Sequence, residues 1–314
     1  MSKHGHCTHK HSHQNASSKV QVRLLLALLL TSILVVIEFV AGTLGNSLAL
    51  VSDAVHNLTD VVALALSFLA NRMLKKPPNS LQTFGYHRVG ILVAVFNSLF
   101  LIVLSLGIML GAWERYQSPG VVSSELMISV GGAVLLVNLV TAWLTSHGAN
   151  DDLNVRSAFL HMIGDVMSSM GAILAGIGIY MTGWSWLDPA ASVLISVLIL
   201  WNAWIILRDG INILLEASPK DVAVSKLVAD MMAVKGVQGI HDLHIWSLSA
   251  DIKMLSAHIF VDEMSVGDTR LIQQEIAGIA KLEHRISHVT LQFESDESCG
   301  GDLYCDEVRR RYAG

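Results

Sequence analysis

The sequence predicts an α-helical membrane protein of six transmembrane helices, followed by a small cytoplasmic α+β domain. Three observations carry this. Only 15% of the 314 residues are charged, where a soluble domain usually holds roughly a quarter. The mean hydropathy is +0.52. The polarity is also segregated: residues 1–20 are polar, 21–207 largely apolar, and 208–314 hold most of the charge. That profile is a membrane segment joined to a water-exposed one.

A helix needs about 20 apolar residues to cross the hydrocarbon. Six stretches qualify, at roughly 21–42, 48–74, 88–113, 122–147, 155–182 and 187–207. The breaks between them are readable. Gly42 to Ser47 forms a short turn, and Lys75-Lys76-Pro77-Pro78 stops the second span. Ser118-Pro119-Gly120 parts the third from the fourth, and Gly183 with Asp188-Pro189 parts the fifth from the sixth. The first apolar run is long enough to span and lacks a small-residue cleavage site, so a cleavable leader is not expected.

Basic residues orient the spans. Lys3, Lys10, Lys19 and Arg23 precede the first; Arg72, Lys75, Lys76 and Arg88 surround the loop between the second and third; Arg208 follows the sixth. The opposite side offers Arg115. Both termini are therefore expected in the cytoplasm, as an even number of spans requires. The net charge of −5 and the absence of a basic cluster argue against nucleic acid as a partner. Three cysteines, Cys7, Cys299 and Cys305, are too few for a disulfide framework.

Ionisable residues at membrane depth cost at least about 2–3 kcal/mol each and need a reason. The second and fifth spans carry the same unit, His-x-x-x-Asp, as His56–Asp60 and His161–Asp165. Residues i and i+4 of a helix lie on one face about 6 Å apart, so both side chains of a unit can reach one ion. Two facing units supply two imidazoles and two carboxylates, a tetrahedral set suited to Zn²⁺ at about 2.0–2.2 Å. Four protein ligands leave no open position for an activated water, so the set favours binding and release over hydrolysis and argues against an enzyme. The alternative for each pair is an interhelical hydrogen bond. Asp53, one turn before His56, is read either as a proton acceptor or access residue or as a packing contact. Glu38, Asn97 and Asn138 are read as interhelical hydrogen-bond partners.

Residues 208–298 read as a helix near 219–234, β-rich runs from Gly239 to Ser249 and Lys253 to Val261, a helix near 267–282 and a strand from His288 to Glu294. Histidines are dense here: His241, His244, His258, His284 and His288. At the amino terminus, His4, His6, Cys7, His9, His11 and His13 form a compositional metal-binding tract that lacks apolar residues and is expected to be disordered.

The run Ser47-Leu48-Ala49-Leu50, Asp53-Ala54 and His56-Asn57-Leu58-Thr59-Asp60 resembles the second-helix signature of the cation diffusion facilitator family. His161 to Asp165 is similar to its fifth-helix motif, and Thr83-Phe84-Gly85-Tyr86-His87-Arg88 to its loop before the third helix. The resemblance covers nearly the whole chain and is strongest to the bacterial zinc-efflux branch. It implies a homodimer in a bacterial inner (plasma) membrane that exchanges cytoplasmic zinc for external protons, with a ferredoxin-like αββαβ tail. It also implies His241 and His258 as tail metal ligands, with His288 or Glu294 completing the site. In some animal relatives an amino-terminal His-Cys segment meets a tail cysteine pair, which would join His6 and Cys7 to Cys299 and Cys305. Gly90 stands where many members carry Glu, which puts a loop metal site at His87 in doubt. Nitrogen and oxygen ligands also suit Cd²⁺, Co²⁺ or Ni²⁺, so a broader divalent-cation exporter is the alternative, with a membrane metalloenzyme behind it.

Overall fold

The computed structural model describes residues 31–146, 153–295 and Leu303. The first expected span is thus described only from Thr31 onward, as a helix α1 at Thr31–Leu44. It is followed by α2 (Leu48–Leu74), α3 (Val89–Gln117), α4 (Ser124–Ser146), α5 (Leu153–Thr182) and α6 (Leu187–Leu214). Then come α7 (Val224–Met232), β1 (Gly239–Ser247), β2 (Lys253–Phe260), α8 (Val266–His284) and β3 (His288–Glu294). Among the described residues four helices are long and apolar enough to cross a membrane: Leu48–Leu74, Val89–Gln117, Ile163–Thr182 and Leu187–Leu214. Two shorter apolar helices, Thr31–Leu44 and Ser124–Val140, accompany them.

The chain divides into two compact units, Met1–Phe68 with Phe96–Ile205, and Leu69–Val95 with Ile206–Gly314. In the first unit the helices turn large apolar side chains outward: Phe96, Val103, Leu110, Leu174 and Trp201 are all more than half exposed. Water would not tolerate such a continuous apolar surface, whereas lipid does. Inside, small residues let backbones approach. A Cβ added at Gly176 would sit 3.0 Å from Met127 and 3.1 Å from Ile128, so α4 and α5 meet where that glycine lies.

Buried polar side chains supply the remaining ties. Asp188, at the start of α6, is fully buried. Its carboxylate accepts hydrogen bonds from Ser47 Oγ (2.6 Å), Leu48 N (2.8 Å) and Ala49 N (3.1 Å). It therefore caps the N-terminus of α2 from another helix, serving donors that α2 cannot satisfy itself. Arg115 of α3 reaches the same carboxylate at 3.5 Å. Pro189 follows in the first turn of α6, where its missing N–H is not needed. Gly183, at φ +70, takes the left-handed conformation just past the end of α5.

The second unit holds a three-stranded sheet in the order β1-β2-β3. β1 and β2 pair antiparallel, and β2 and β3 pair parallel through α8. The element order over α7 to β3 is αββαβ, and the strands fall within the β-rich runs and the last segment read from the sequence. The helices cover the sheet through Leu227, Met231, Ile272 and Ile276, which pack on Leu243, Leu255 and Ile259. Ser265 caps α8 by accepting from Asp268 N, and Arg285 ends it in the left-handed region at φ 55. Lys253, only 7% exposed, is neutralised by Asp221. That ammonium holds the Asp221 carboxyl below its usual range.

If the Asp188 cap secures α2, Asp188→Ala should lower the chain's stability by roughly 2–4 kcal/mol by stranding buried donors. The shift in the unfolding midpoint in detergent measures it.

Candidate metal sites

Three of the four expected intramembrane ligands converge. His56 Nε2 lies 3.7 Å from Asp60 Oδ2 on its own helix and 3.5 Å from Asp165 Oδ1 on α5. One ligand atom from each falls within 4.8 Å of the others. The side chains are 13%, 24% and 8% exposed, shielded but not sealed. The i, i+4 spacing aligns the α2 pair, and Asp165 projects from α5. His161 lies on α5 one turn before Asp165, and its side chain is outside the described residues. These atoms converge on a point, as ligands do. Two carboxylates there offset a dication's charge in a low-dielectric bundle.

Hydrogen bonds fix this set from behind. Ser169 Oγ bonds the Asp165 carbonyl at 2.9 Å and Asp53 Oδ2 at 3.2 Å, while Ser168 donates to Asp53 Oδ1 at 2.5 Å. Asn138 of α4 donates to Ser169 at 3.2 Å, the interhelical role expected of it. Asp53 thus joins α2 to α5 beside the convergent ligands, without being one of them.

In the second unit, His241 and His258 stand opposite each other across β1 and β2, with ring centroids 5.2 Å apart. Glu294, at the end of β3, bridges them. Its Oε2 lies 3.0 Å from His241 Nε2, and its Oε1 lies 3.0 Å from His258 Nδ1. His241 is 3% exposed, so two imidazoles and a carboxylate gather at a mostly covered point. Asp242, which sequence reasoning passed over, adds an oxygen 3.5 Å from His258 Nε2. The β1 register slips between His241 and His244, and Asp242 adopts φ 50 within that irregularity, which turns its side chain toward His258. His288 is not part of this cluster. It pairs with Met254 at the far end of β3, about 20 Å from Glu294 at the usual strand rise.

A third grouping, Asp230, Glu283 and His284, ties α7 to α8. His284 Nε2 meets Asp230 at 2.8 Å, and Lys226 lies 3.3 Å from Glu283 and 3.9 Å from Asp230. The lysine already supplies the cation, so the grouping reads as a brace. His87 joins no such grouping among the described residues. Its neighbour Arg88 pairs with Glu216 at 2.7 Å on the wall of a cavity of about 1150 Å³, which Phe84, Tyr86, His244 and Trp246 also line. His6, Cys7, Cys299 and Cys305 lie outside the described residues.

Glu294→Ala should leave the sheet folded and remove about one metal ion per chain. Lys226→Met should change stability without changing that count. Elemental analysis of the purified full-length variants separates the two.

Comparison with known proteins covers both units. Residues 24–215 match the cation efflux transmembrane domain, and residues 219–296 match the cytoplasmic domain of cation efflux proteins. A cadmium, cobalt and zinc/H⁺-K⁺ antiporter of Bacillus subtilis is 39% identical over 290 residues, 91% of this chain and 92% of the relative. The metal cation efflux system protein CzcD of Cupriavidus metallidurans is 37% identical over 91% of this chain and 89% of its own. The zinc transporter ZitB of Escherichia coli is 35% identical over 95% of this chain and 96% of its own.

Proposed function

The chain belongs to the cation efflux, or cation diffusion facilitator, family, and we propose that it is a Zn²⁺/H⁺ antiporter that exports zinc from the cytoplasm by alternating access. As a member it is a metal-cation transporter and not an enzyme. The observation that carries the proposal is the convergence of His56, Asp60 and Asp165 within 4.8 Å across two apolar helices. His161, on the same face of α5 as Asp165, completes a set of two imidazoles and two carboxylates around the transported ion.

The chemistry of that set accounts for coupling. Histidine ordinarily titrates near neutral pH, and metal binds only the deprotonated ring. A site open to an acidic exterior takes protons on its imidazoles and gives up the ion. The same site open to the cytoplasm sheds those protons and binds again. Alternating access then suffices for exchange, with Asp53 next to the ligands as an additional proton acceptor. The concentration of basic residues at Arg72, Lys75, Lys76, Arg88 and Arg208 supports a cytoplasmic side for the loop after α2 and for the tail.

Two more elements belong to this reading. His241, His258 and Glu294, with Asp242 beside them, form a cytoplasmic zinc site. The tail domains of two chains associate, in keeping with the dimer-type tail domain that residues 219–296 match. A second reading, export of several divalent cations, is favoured by the ligand set itself, because oxygen and nitrogen donors without thiolate discriminate weakly. The Bacillus relative bears the names of three such metals.

Purified protein in liposomes tests the proposal. Zinc uptake should follow an imposed pH gradient and fall to the rate of empty vesicles in Asp60→Ala and in His161→Ala. Uptake that ignores the gradient would remove the proton coupling, and full uptake in either variant would remove the site. Parallel uptake of Cd²⁺ and Co²⁺ at zinc-like rates would favour the broader exporter.

A further inference from the structure

Where α2 meets α1 lies a second polar cluster that metal ligation does not use. Glu38 of α1, Asp53 and Asn57 of α2, and Ser168 and Ser169 of α5 are all at most 7% exposed. Counting hydrogens in this cluster leaves one missing. Asp53 Oδ1 accepts from Ser168 at 2.5 Å, and its Oδ2 lies 3.2 Å from Ser169 Oγ, whose single hydrogen is shared with the Asp165 carbonyl at 2.9 Å. Glu38 Oε2 accepts from Asn57 Nδ2 at 3.3 Å. Glu38 Oε1 is buried and receives no hydrogen bond from any donor among the described residues. The Glu38 and Asp53 carboxyl groups themselves are in hydrogen-bonding contact.

Two ionised carboxylates have no hydrogen to place in such a contact, because each is an acceptor only. A buried acceptor without a donor is costly, and more so when charged. One proton on the Glu38 carboxyl supplies the missing hydrogen: the acid donates to Asp53, and in its neutral form the buried Oε1 costs less to leave without a donor. We propose that Glu38 and Asp53 hold a single exchangeable proton, with Glu38 as the acid, and that this proton leaves when a divalent cation occupies the neighbouring transport site. The inference rests on the transport-site reading above and assigns it a proton carrier outside the ligands.

The ionisable groups facing the pair are His56 on α2 and Asp165 on α5, both within electrostatic reach of Asp53. Ser168, Ser169 and Asn57 supply the neutral polar contacts. A dication between His56, Asp60 and Asp165 adds positive charge beside Asp53 in a medium that screens poorly. The Glu38 O–H bond then breaks, its electron pair stays on the carboxylate, and the proton passes to water on the side to which the site is open. When the metal leaves, a proton from the opposite side restores the pair. A static brace between α1 and α2 would use the same contacts but would not change its proton content with metal.

The test counts protons released per zinc bound by the purified full-length protein, in weak buffer with a pH-indicator dye. Glu38→Gln should bind zinc with unchanged stoichiometry and release about one proton fewer per chain at saturation. Glu38→Asp, which keeps an acid at that position, should restore the count. A wild-type count in Glu38→Gln overturns the acid pair. Asp60→Ala serves as the separate control: an unchanged number of zinc ions per chain there would sink the transport-site reading instead. Where Glu38→Gln fails to fold, infrared difference spectra of the wild-type chain on zinc addition decide. Loss of a protonated-carboxyl band that shifts in Glu38→Asp supports the pair, and no such loss overturns it.

Discussion

A bilayer offers no water to an ionised side chain, so each acid among the membrane helices must meet a donor, a cation or a proton. The first unit obeys this at three levels of α2. At its N-terminus the Asp188 carboxylate is consumed by Ser47, two backbone amides and Arg115. One turn inward, Asp53 takes two serine hydroxyls from α5 and the Glu38 carboxyl from α1. At the third level His56 and Asp60 converge on Asp165, with the imidazole 3.7 Å from the one carboxylate and 3.5 Å from the other. Apolar faces in lipid give helices little reason to choose one partner over another. The polar ties make that choice, and they place the ligands at the level where a cation is the natural counter-charge.

The tail domain works under the opposite condition. Water solvates its surface, so its architecture comes from burying Leu227, Met231, Leu255, Ile259 and Ile276 between helices and sheet. Its polar clusters sit on that frame instead of building it. The His241–His258–Glu294 cluster uses the antiparallel pairing of β1 with β2 and the parallel pairing of β2 with β3 together. Neither hairpin nor β-α-β crossover alone would gather its three ligands.

What the sequence disclosed divides along the same line. Local spacing was legible: the His-x-x-x-Asp units, the apolar runs and the strands of the tail each depend on residues within a few positions of one another. Long-range approach was not. Nothing around Asp188 says that it caps α2, because its partners lie about 140 positions earlier. Glu38 was recognisable as an interhelical partner, yet its meeting with Asp53 depends on how α1 packs. His288 and Glu294 share strand parity and therefore a face. Only the pairing of Met254 with His288 and of Phe260 with Glu294 decides which end of β3 stands beside His258. Asp242 was hidden by an irregularity in β1 that no alternation pattern announces.

The separation along α2 has a consequence for how charge moves. Asp53 and His56 are three residues apart, less than one helical turn. At that spacing, in a poorly screened interior, the charge state of the acid pair and the occupancy of the ligand set cannot be independent. An ion held only by its ligands would leave the protonation of those ligands alone to offset the charge lost when it departs, a costly demand at membrane depth. A neighbouring pair that gains a proton as the ion leaves reduces that cost without occupying a ligand position. The same arrangement fits the partial exposure of His56 and Asp60 beside the burial of Glu38 and Asp53: a transported ion needs a wide path, and a proton needs only a chain of oxygens. On this argument the serines of α5 have two tasks. Ser168 and Ser169 hold α2 against α5, and through Asp53 and the Asp165 carbonyl they connect the acid pair to the helix that carries the facing ligand.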